Sequence, residues 1–298
     1  MNLTNTSLKP LSQQPPSADN VTTTPADNRP IGVFDSGVGG LSTLRELVRL
    51  LPHEQFIYFG DQGHVPYGPR PLVEIQGFVR GIAEFFLERQ VKAIVIACNA
   101  ASAAGLKHIR ELHPELPIVG MEPAIKPAAE KTQTGVIGVI TTKATYQGEL
   151  FASVIDRFAK DRRVETQVCP DFVTLVEAGK LDGPEAEEAA ERYLMPLVDA
   201  GIDQLVLGCT HFPFIEPLIR QVIGDEIQIV DPGPAIARQT SRVIAGMEAS
   251  DEQAGHVTFF TSGDLKAFHT LAERLLDRRI GDAEAKSATW LDGEHVKA

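Results

Sequence analysis

The stretch Ala93-Ile-Val-Ile-Ala97, followed at once by Cys98-Asn99-Ala100-Ala101-Ser102, decides how this chain is read. Five consecutive apolar residues suit a strand covered on both faces, and the small polar residues beyond them suit the turn into a helix. A second stretch repeats the pattern, with Leu205-Val-Leu-Gly208 running into Cys209-Thr210-His211. Similar short apolar runs lie at Ile31 to Phe34, Phe56 to Phe59, Ile118 to Gly120, Val136 to Ile140 and Ile227 to Val230. Helical spacing marks Leu41 to Leu50, Ile75 to Arg89, Gly105 to Leu112, Tyr146 to Ala159, Glu185 to Ala200 and Pro217 to Val222, with Pro196 a candidate break in the fifth. Strands alternating with helices imply an α/β fold of mostly parallel sheets wound by right-handed crossovers, with ligands expected beyond the carboxyl ends of the strands.

The rest of the chain frames that body. Its 298 residues suffice for two domains. Residues 1–29, rich in Ser, Thr, Asn, Pro and Gln, are expected to form a disordered tail. Residues 280–298 are expected to be loosely ordered, with Trp290 free to dock. A net charge of −12 argues against nucleic acid or an anionic membrane as partner and leaves a small polar ligand as the simpler choice. No apolar run approaches the roughly 20 residues of a spanning helix and no secretory leader opens the chain, so a cytoplasmic location is expected. The three cysteines, Cys98, Cys169 and Cys209, lack CxxC spacing and are read as reduced thiols.

Four strand ends carry polar residues that a turn does not require. Asp35-Ser36-Gly37-Val38-Gly39-Gly40 offers backbone amides near a helix start, suited to an anion, or equally to a plain capped turn. Tyr58-Phe-Gly-Asp61 through Val65-Pro66-Tyr67-Gly68 offers a hydroxyl and loop amides for a carboxylate, against the reading of an ordinary Pro and Gly turn. At the other two, a thiol at the start of the following segment meets amides and a helix dipole that favour thiolate. A single cysteine there is more often a packing residue, but one in each half forms a constellation. Two thiols facing one carbon make a two-base device, one removing a proton and the other delivering one to the opposite face. Ser36, Asn99 and Thr210 are candidates to stabilise charge on a carboxylate, Asp35 is the candidate partner of Cys98, and His211 that of Cys209. Cys169 has no such surroundings and is read as packing.

Together the motifs Asp35 to Gly40, Pro66-Tyr67-Gly68, Ala97 to Ser102 and Gly208-Cys209-Thr210-His211 resemble those of bacterial glutamate racemases, in the aspartate/glutamate racemase family, over about residues 31 to 275. The resemblance implies two pseudo-symmetric α/β domains with the active site in the cleft between them: residues 30–123 plus 233–279 in one and 124–232 in the other, with Glu122-Pro123 at the entry to the second. It implies interconversion of L- and D-glutamate for peptidoglycan, no cofactor and no metal, and commonly a homodimer. Cys98 would act on the D-enantiomer and Cys209 on the L-enantiomer, aided by Asp35 and His211, with Glu177 as a further acidic residue near the second thiol. Asp35, Ser36, Tyr67, Gly68, Asn99, Ala100, Thr145, Thr210 and His211 would contact substrate. Ala100 stands where that motif usually has threonine, which removes a hydroxyl contact and leaves the backbone amide. Ala144 replaces a common glycine. The competing readings are a racemase for aspartate or a hydantoin, a non-catalytic binding protein, and a zinc site from Cys98, Cys209 and His211.

Overall fold

The computed structural model describes residues 26–291, 293 and 295–298. In chain order the elements are β1 (Ile31–Asp35), α1 (Leu41–Leu50), β2 (Gln55–Gly60), α2 (Leu72–Leu87), β3 (Ala93–Ile96), α3 (Asn99–Leu112), β4 (Ile118–Gly120), α4 (Ile125–Lys131) and β5 (Val136–Thr141). They continue with α5 (Lys143–Gln147), α6 (Glu149–Phe158), β6 (Arg163–Val168), α7 (Pro170–Glu177), α8 (Pro184–Asp199), β7 (Gln204–Gly208), a 3-10 turn (Phe212–Ile215), α9 (Glu216–Ile223) and β8 (Gln228–Val230). The chain closes with α10 (Gly233–Val243), β9 (His256–Thr261), α11 (Leu265–Leu276), β10 (Ala285–Ser287), β11 (Thr289–Trp290) and β12 (Val296–Lys297).

Two parallel sheets result. One has the order β10-β9-β2-β1-β3-β4 and the other β6-β5-β7-β8, so the α/β reading holds. The central strands β1, β3 and β7 are buried along their whole length, which is why their sequences run apolar without alternation. In the first sheet the chain moves outward from β1 to β2 and then crosses to β3 on the other side. The second sheet does the same from β5 to β6 and then to β7. Each sheet therefore has a switch point, between β1 and β3 and between β5 and β7, where the connections leave in opposite directions and open a crevice at the carboxyl ends. One apolar core reaches both sheets, from Val33, Leu41 and Phe268 to Phe172, Leu207 and Ile219. Among the described residues no helix is long and apolar enough to cross a membrane.

Several local expectations change. Residues 1–25 of the expected disordered tail lie outside the described residues, but the remainder is held: the Asp27 N–H donates to Glu248 O at 2.9 Å and its carbonyl accepts from Lys92 Nζ at 2.6 Å. Residues 280–298 are not loosely ordered where described. β10 adds to the sheet beside β9, β11 and β12 pair antiparallel, and Ala288 and Val296 are buried. Their short elements carry too little periodicity to announce themselves. Pro196 lies inside α8 without ending it: the helix runs on to Asp199, and the proline costs the one bond its missing N–H would make to the carbonyl of Arg192. The strand β6, Arg163-Val-Glu-Thr-Gln-Val168, is an edge strand with only partial burial, so it is polar and gives no apolar run.

Below the first sheet, Lys92 is fully buried and its ammonium meets Glu54 Oε2, Asp27 O and Met247 O, each at 2.6 Å. This cation pins the entering chain and the segment before β9 to the start of β3. Replacing it leaves a buried carboxylate unpaired, so Lys92→Met is expected to lower unfolding free energy by about 3–5 kcal/mol in urea titration, with part recovered by adding Glu54→Gln.

Candidate active site

The loops at both switch points converge. Ser36 follows β1, Cys98 to Ala100 follow β3, Thr142 follows β5 and Cys209 to His211 follow β7. Together with Tyr67, Gly68 and Val173 they line one narrow cavity of about 10 Å³. Such a volume holds about one water molecule, so the walls are in near contact and an amino acid enters only when they part.

Cys98 is the N-cap of α3, and its sulfur accepts from the Ala101 N–H at 3.5 Å and lies 3.9 Å from Ser36 Oγ. The expected helix start is there, but it does not prevail. Burial pushes the Cys98 thiol well above its ordinary value, the Asp35 carboxylate adds to the effect, and the Ala101 N–H offsets only part of it. Burial thus favours the protonated sulfur at Cys98. Asp35 influences it by charge: its own oxygens accept from Gly37 N–H and Thr210 Oγ1, both at 2.9 Å. Burial raises the Asp35 carboxyl, against the pull of His211 and of those two donors.

Cys209 stands differently. Beyond it comes a 3-10 turn, not the start of an α-helix, and its sulfur lies 3.6 Å from His211 Nδ1. The other ring nitrogen, Nε2, is 2.7 Å from Glu177 Oε1. Burial opposes charge on this imidazole, yet Cys209 and Glu177 outweigh it and raise His211 well above the usual range. Glu177 is itself held low despite burial by His211, by Gln62 Nε2 at 2.9 Å and by the Val38 N–H at 2.8 Å. An imidazole between a carboxylate and a sulfur is oriented at both ends and can carry a proton.

This packing explains the glycines of the first loop. A Cβ at Gly37 would sit 1.9 Å from Glu177 Oε1, and one at Gly39 would sit 2.3 Å from His211 Nδ1. Ser42 Oγ donates to Thr210 O at 2.9 Å, a further bond between the two loop sets.

Of the other candidates, Asn99 is 3% exposed and lines the cavity, and neither its amide oxygen nor its amide nitrogen has a protein partner. An unpaired buried amide is costly, so this group is built to meet something. Ala100 also lines the wall. The Tyr67 hydroxyl does not face outward for a ligand: it donates to Asp61 Oδ2 at 2.5 Å, leaving the ring and the Gly68 backbone on the cavity. Thr142 lines the cavity and Thr145 supports it, their hydroxyls 3.0 Å apart. Glu122 borders a separate surface groove between α3 and α6. Cys169 is buried, its thiol pushed far up by burial and its sulfur donating to Gln167 O at 3.5 Å. Among the described residues no three His, Cys, Asp or Glu side chains are grouped as metal ligands, so the zinc arrangement is not formed. Sequence reasoning missed Asp61 as a hub, Gln62, Thr142 and Val173; only Asp61, quoted within the Tyr58 segment, carried any signal.

The family model described as Asp/Glu/Hydantoin racemase matches residues 31–240. The chain belongs to that family. It is an amino-acid racemase, an isomerase. A glutamate racemase of Pseudomonas putida (strain KT2440) is 48% identical over 243 residues, 81% of this chain and 92% of that protein. The crystal structure of glutamate racemase isoform RacE1 from Bacillus anthracis covers 90% of this chain and 99% of its own, with TM-score 0.80 and 34% identity. That of glutamate racemase from Francisella tularensis in complex with D-glutamate covers 88% and 97%, with TM-score 0.77 and 30% identity.

The His211–Glu177 pair makes stability depend on pH in a defined direction. Glu177 is lowered, so its contribution is complete above the ordinary carboxylate value of 4.5 and is lost as pH falls through the folded value. His211 is raised, so its contribution is complete below the ordinary imidazole value of 6.5 and is lost as pH rises through the folded value. The difference in unfolding free energy between the wild type and Glu177→Gln is therefore expected to be largest between those two values and to shrink on either side, as read by urea unfolding across a pH series.

Proposed function

We propose that this protein is a glutamate racemase that interconverts L- and D-glutamate by moving the α-proton between Cys98 and Cys209, and that it supplies D-glutamate for peptidoglycan in the cytoplasm, working without a cofactor and as a homodimer. The observation that carries the reading is that two thiols, from the switch points of two different sheets, line one cavity with an unpaired Asn99 amide between the same loops. In this reading two domains, residues 30–123 plus 233–279 and residues 124–232, part to admit substrate.

In the direction starting from L-glutamate, Cys209 takes the α-proton. His211, its Nε2 turned to Glu177 and its Nδ1 to the sulfur, is placed to exchange a proton with that thiol. The electron pair left on the α-carbon delocalises into the substrate carboxylate, where the Asn99 amide, the Ser36 hydroxyl and the Gly68 and Ala100 backbone amides stabilise it, while the Thr210 hydroxyl holds Asp35. Cys98, whose protonated form burial favours, delivers its proton to the opposite face and remains as thiolate. The C–H bond broken and the C–H bond formed balance, and nothing is oxidised or reduced. From D-glutamate the roles reverse, with Asp35 beside Cys98 making the thiolate a stronger base. Closure excludes the water that would weaken each of these contacts.

The test is exchange of the α-proton of each glutamate enantiomer in deuterated water. The wild type is expected to exchange and invert both, Cys98→Ala and Cys209→Ala to lose inversion by at least about a thousandfold, and Cys169→Ser to retain it. Exchange of neither enantiomer by the wild type would overturn the reading, and D-aspartate turned over in preference to D-glutamate would move it to the other acidic amino acid that the family's description names.

The hydroxyl missing at Ala100 weakens substrate binding and leaves the proton transfer itself intact. Ala100→Thr is expected to lower the Michaelis constant roughly threefold to tenfold, the worth of one hydrogen bond; an unchanged or raised constant would count against a contact at this position.

A further inference from the structure

Trp290 is the chain's one tryptophan and lies beyond the residues that the family model matches. It sits on β11, held by its pairing with β12, whose Val296 packs into the apolar cluster around Phe78, Val79 and Ile82 of α2. The indole packs edge-on against His64 and Phe78, with ring centroids 5.1 and 5.6 Å apart. Its Nε1–H donates to Asp61 Oδ1 at 2.8 Å.

Asp61 is fully buried, and its carboxylate is the meeting point of four side chains. Ser262 Oγ donates to Oδ1 at 2.6 Å, the Tyr67 hydroxyl to Oδ2 at 2.5 Å, and His64 Nδ1 lies 3.0 Å from Oδ2. A carboxylate has about four acceptor positions, so these donors fill it and fix its rotation. Tyr67 and Gly68 are cavity wall, and the Gly68 carbonyl accepts from the Ala144 N–H at 2.9 Å, a contact that joins this loop to the segment after β5. On the other side of Asp61, Gln62 reaches Glu177 and so the imidazole beside Cys209. The loop that Trp290 anchors thus touches the surroundings of both thiols. The cavity has to open for an amino acid, and any opening at Gly68 works against an anchor at Asp61.

Resting on the racemase reading above, we propose that Trp290 is a positioning residue for substrate binding: the C-terminal strands clamp Asp61 through the indole N–H, and Asp61 in turn sets Tyr67 and Gly68 against the cavity. The clamp serves binding and not proton transfer, because it contacts neither sulfur. It also places the single tryptophan where its emission responds to the state of the site.

Trp290→Phe keeps an aromatic ring against His64 and Phe78 and removes only the N–H. The expected result is a Michaelis constant raised roughly fivefold to tenfold for both D- and L-glutamate, the worth of one ordinary hydrogen bond because Asp61 keeps its other donors, with kcat within about twofold of wild type. In the wild type, tryptophan emission is expected to change saturably with added D-glutamate, with a midpoint that follows the Michaelis constant. Tyr67→Phe, which keeps the indole bond and cuts its link to the cavity wall, is expected to lose that response at saturating D-glutamate. Unchanged constants in Trp290→Phe, or a loss confined to kcat, overturn the clamp, as does wild-type emission that saturating D-glutamate leaves unmoved. Both outcomes leave racemisation by the wild type standing, whereas a wild type inert toward both enantiomers overturns the racemase reading and the clamp together.

Discussion

The carboxylate of Glu177 is the constraint around which the site is arranged. It belongs to α7, in the half of the chain that builds the smaller sheet, but two of its three partners come from the loops after β1 and β2 of the larger one. Largely shielded from solvent, it is held by all three donors, since each lone pair left empty costs about 1–3 kcal/mol. That need brings the glycine loop down onto Glu177 and leaves no room for a Cβ at Gly37. It also fixes the ring of His211, and through His211 the surroundings of Cys209. One buried charge thereby registers the two sheets against each other, and the loops at their carboxyl ends close over a common cavity.

The two thiols occupy topologically similar places and chemically unlike ones. Cys98 is governed by burial, with a helix start and a neighbouring hydroxyl too weak to offset it. Cys209 instead lies 3.6 Å from an imidazole whose other nitrogen meets Glu177. A strand-end cysteine therefore fixes where a sulfur is placed but not its protonation state, which depends on what packs over it.

Much of this was readable in the chain itself. The continuous apolar runs of β1, β3 and β7 reveal strands covered on both faces, and the polar residues beyond them mark the cavity, because a parallel sheet puts its switch-point loops at one end. What stayed hidden depends on partners far apart in the sequence. Gln62 and Glu177 are 115 residues apart, and Asp61 and Trp290 are 229 apart, so no local pattern announces either bond. The edge strand β6 was hidden for a different reason, since partial exposure removes the apolar signal. The Tyr67 hydroxyl's turn toward Asp61 is also illegible in the sequence, because a side chain's polar tip goes to its strongest partner and a buried carboxylate is a strong one.

The unlikeness of the two thiol environments has a thermodynamic limit. A substrate and its mirror image have the same free energy in water, so at equilibrium neither is favoured, and the ratio kcat/KM must be the same in the two directions. Whatever advantage the imidazole gives Cys209, or burial denies Cys98, cannot make the enzyme a better catalyst one way than the other by that measure. The asymmetry can only be divided between tighter binding of one enantiomer and faster release of the other. The chirality of the folded chain shapes how each hand of the molecule is held, while the direction of net flow belongs to whatever removes the product.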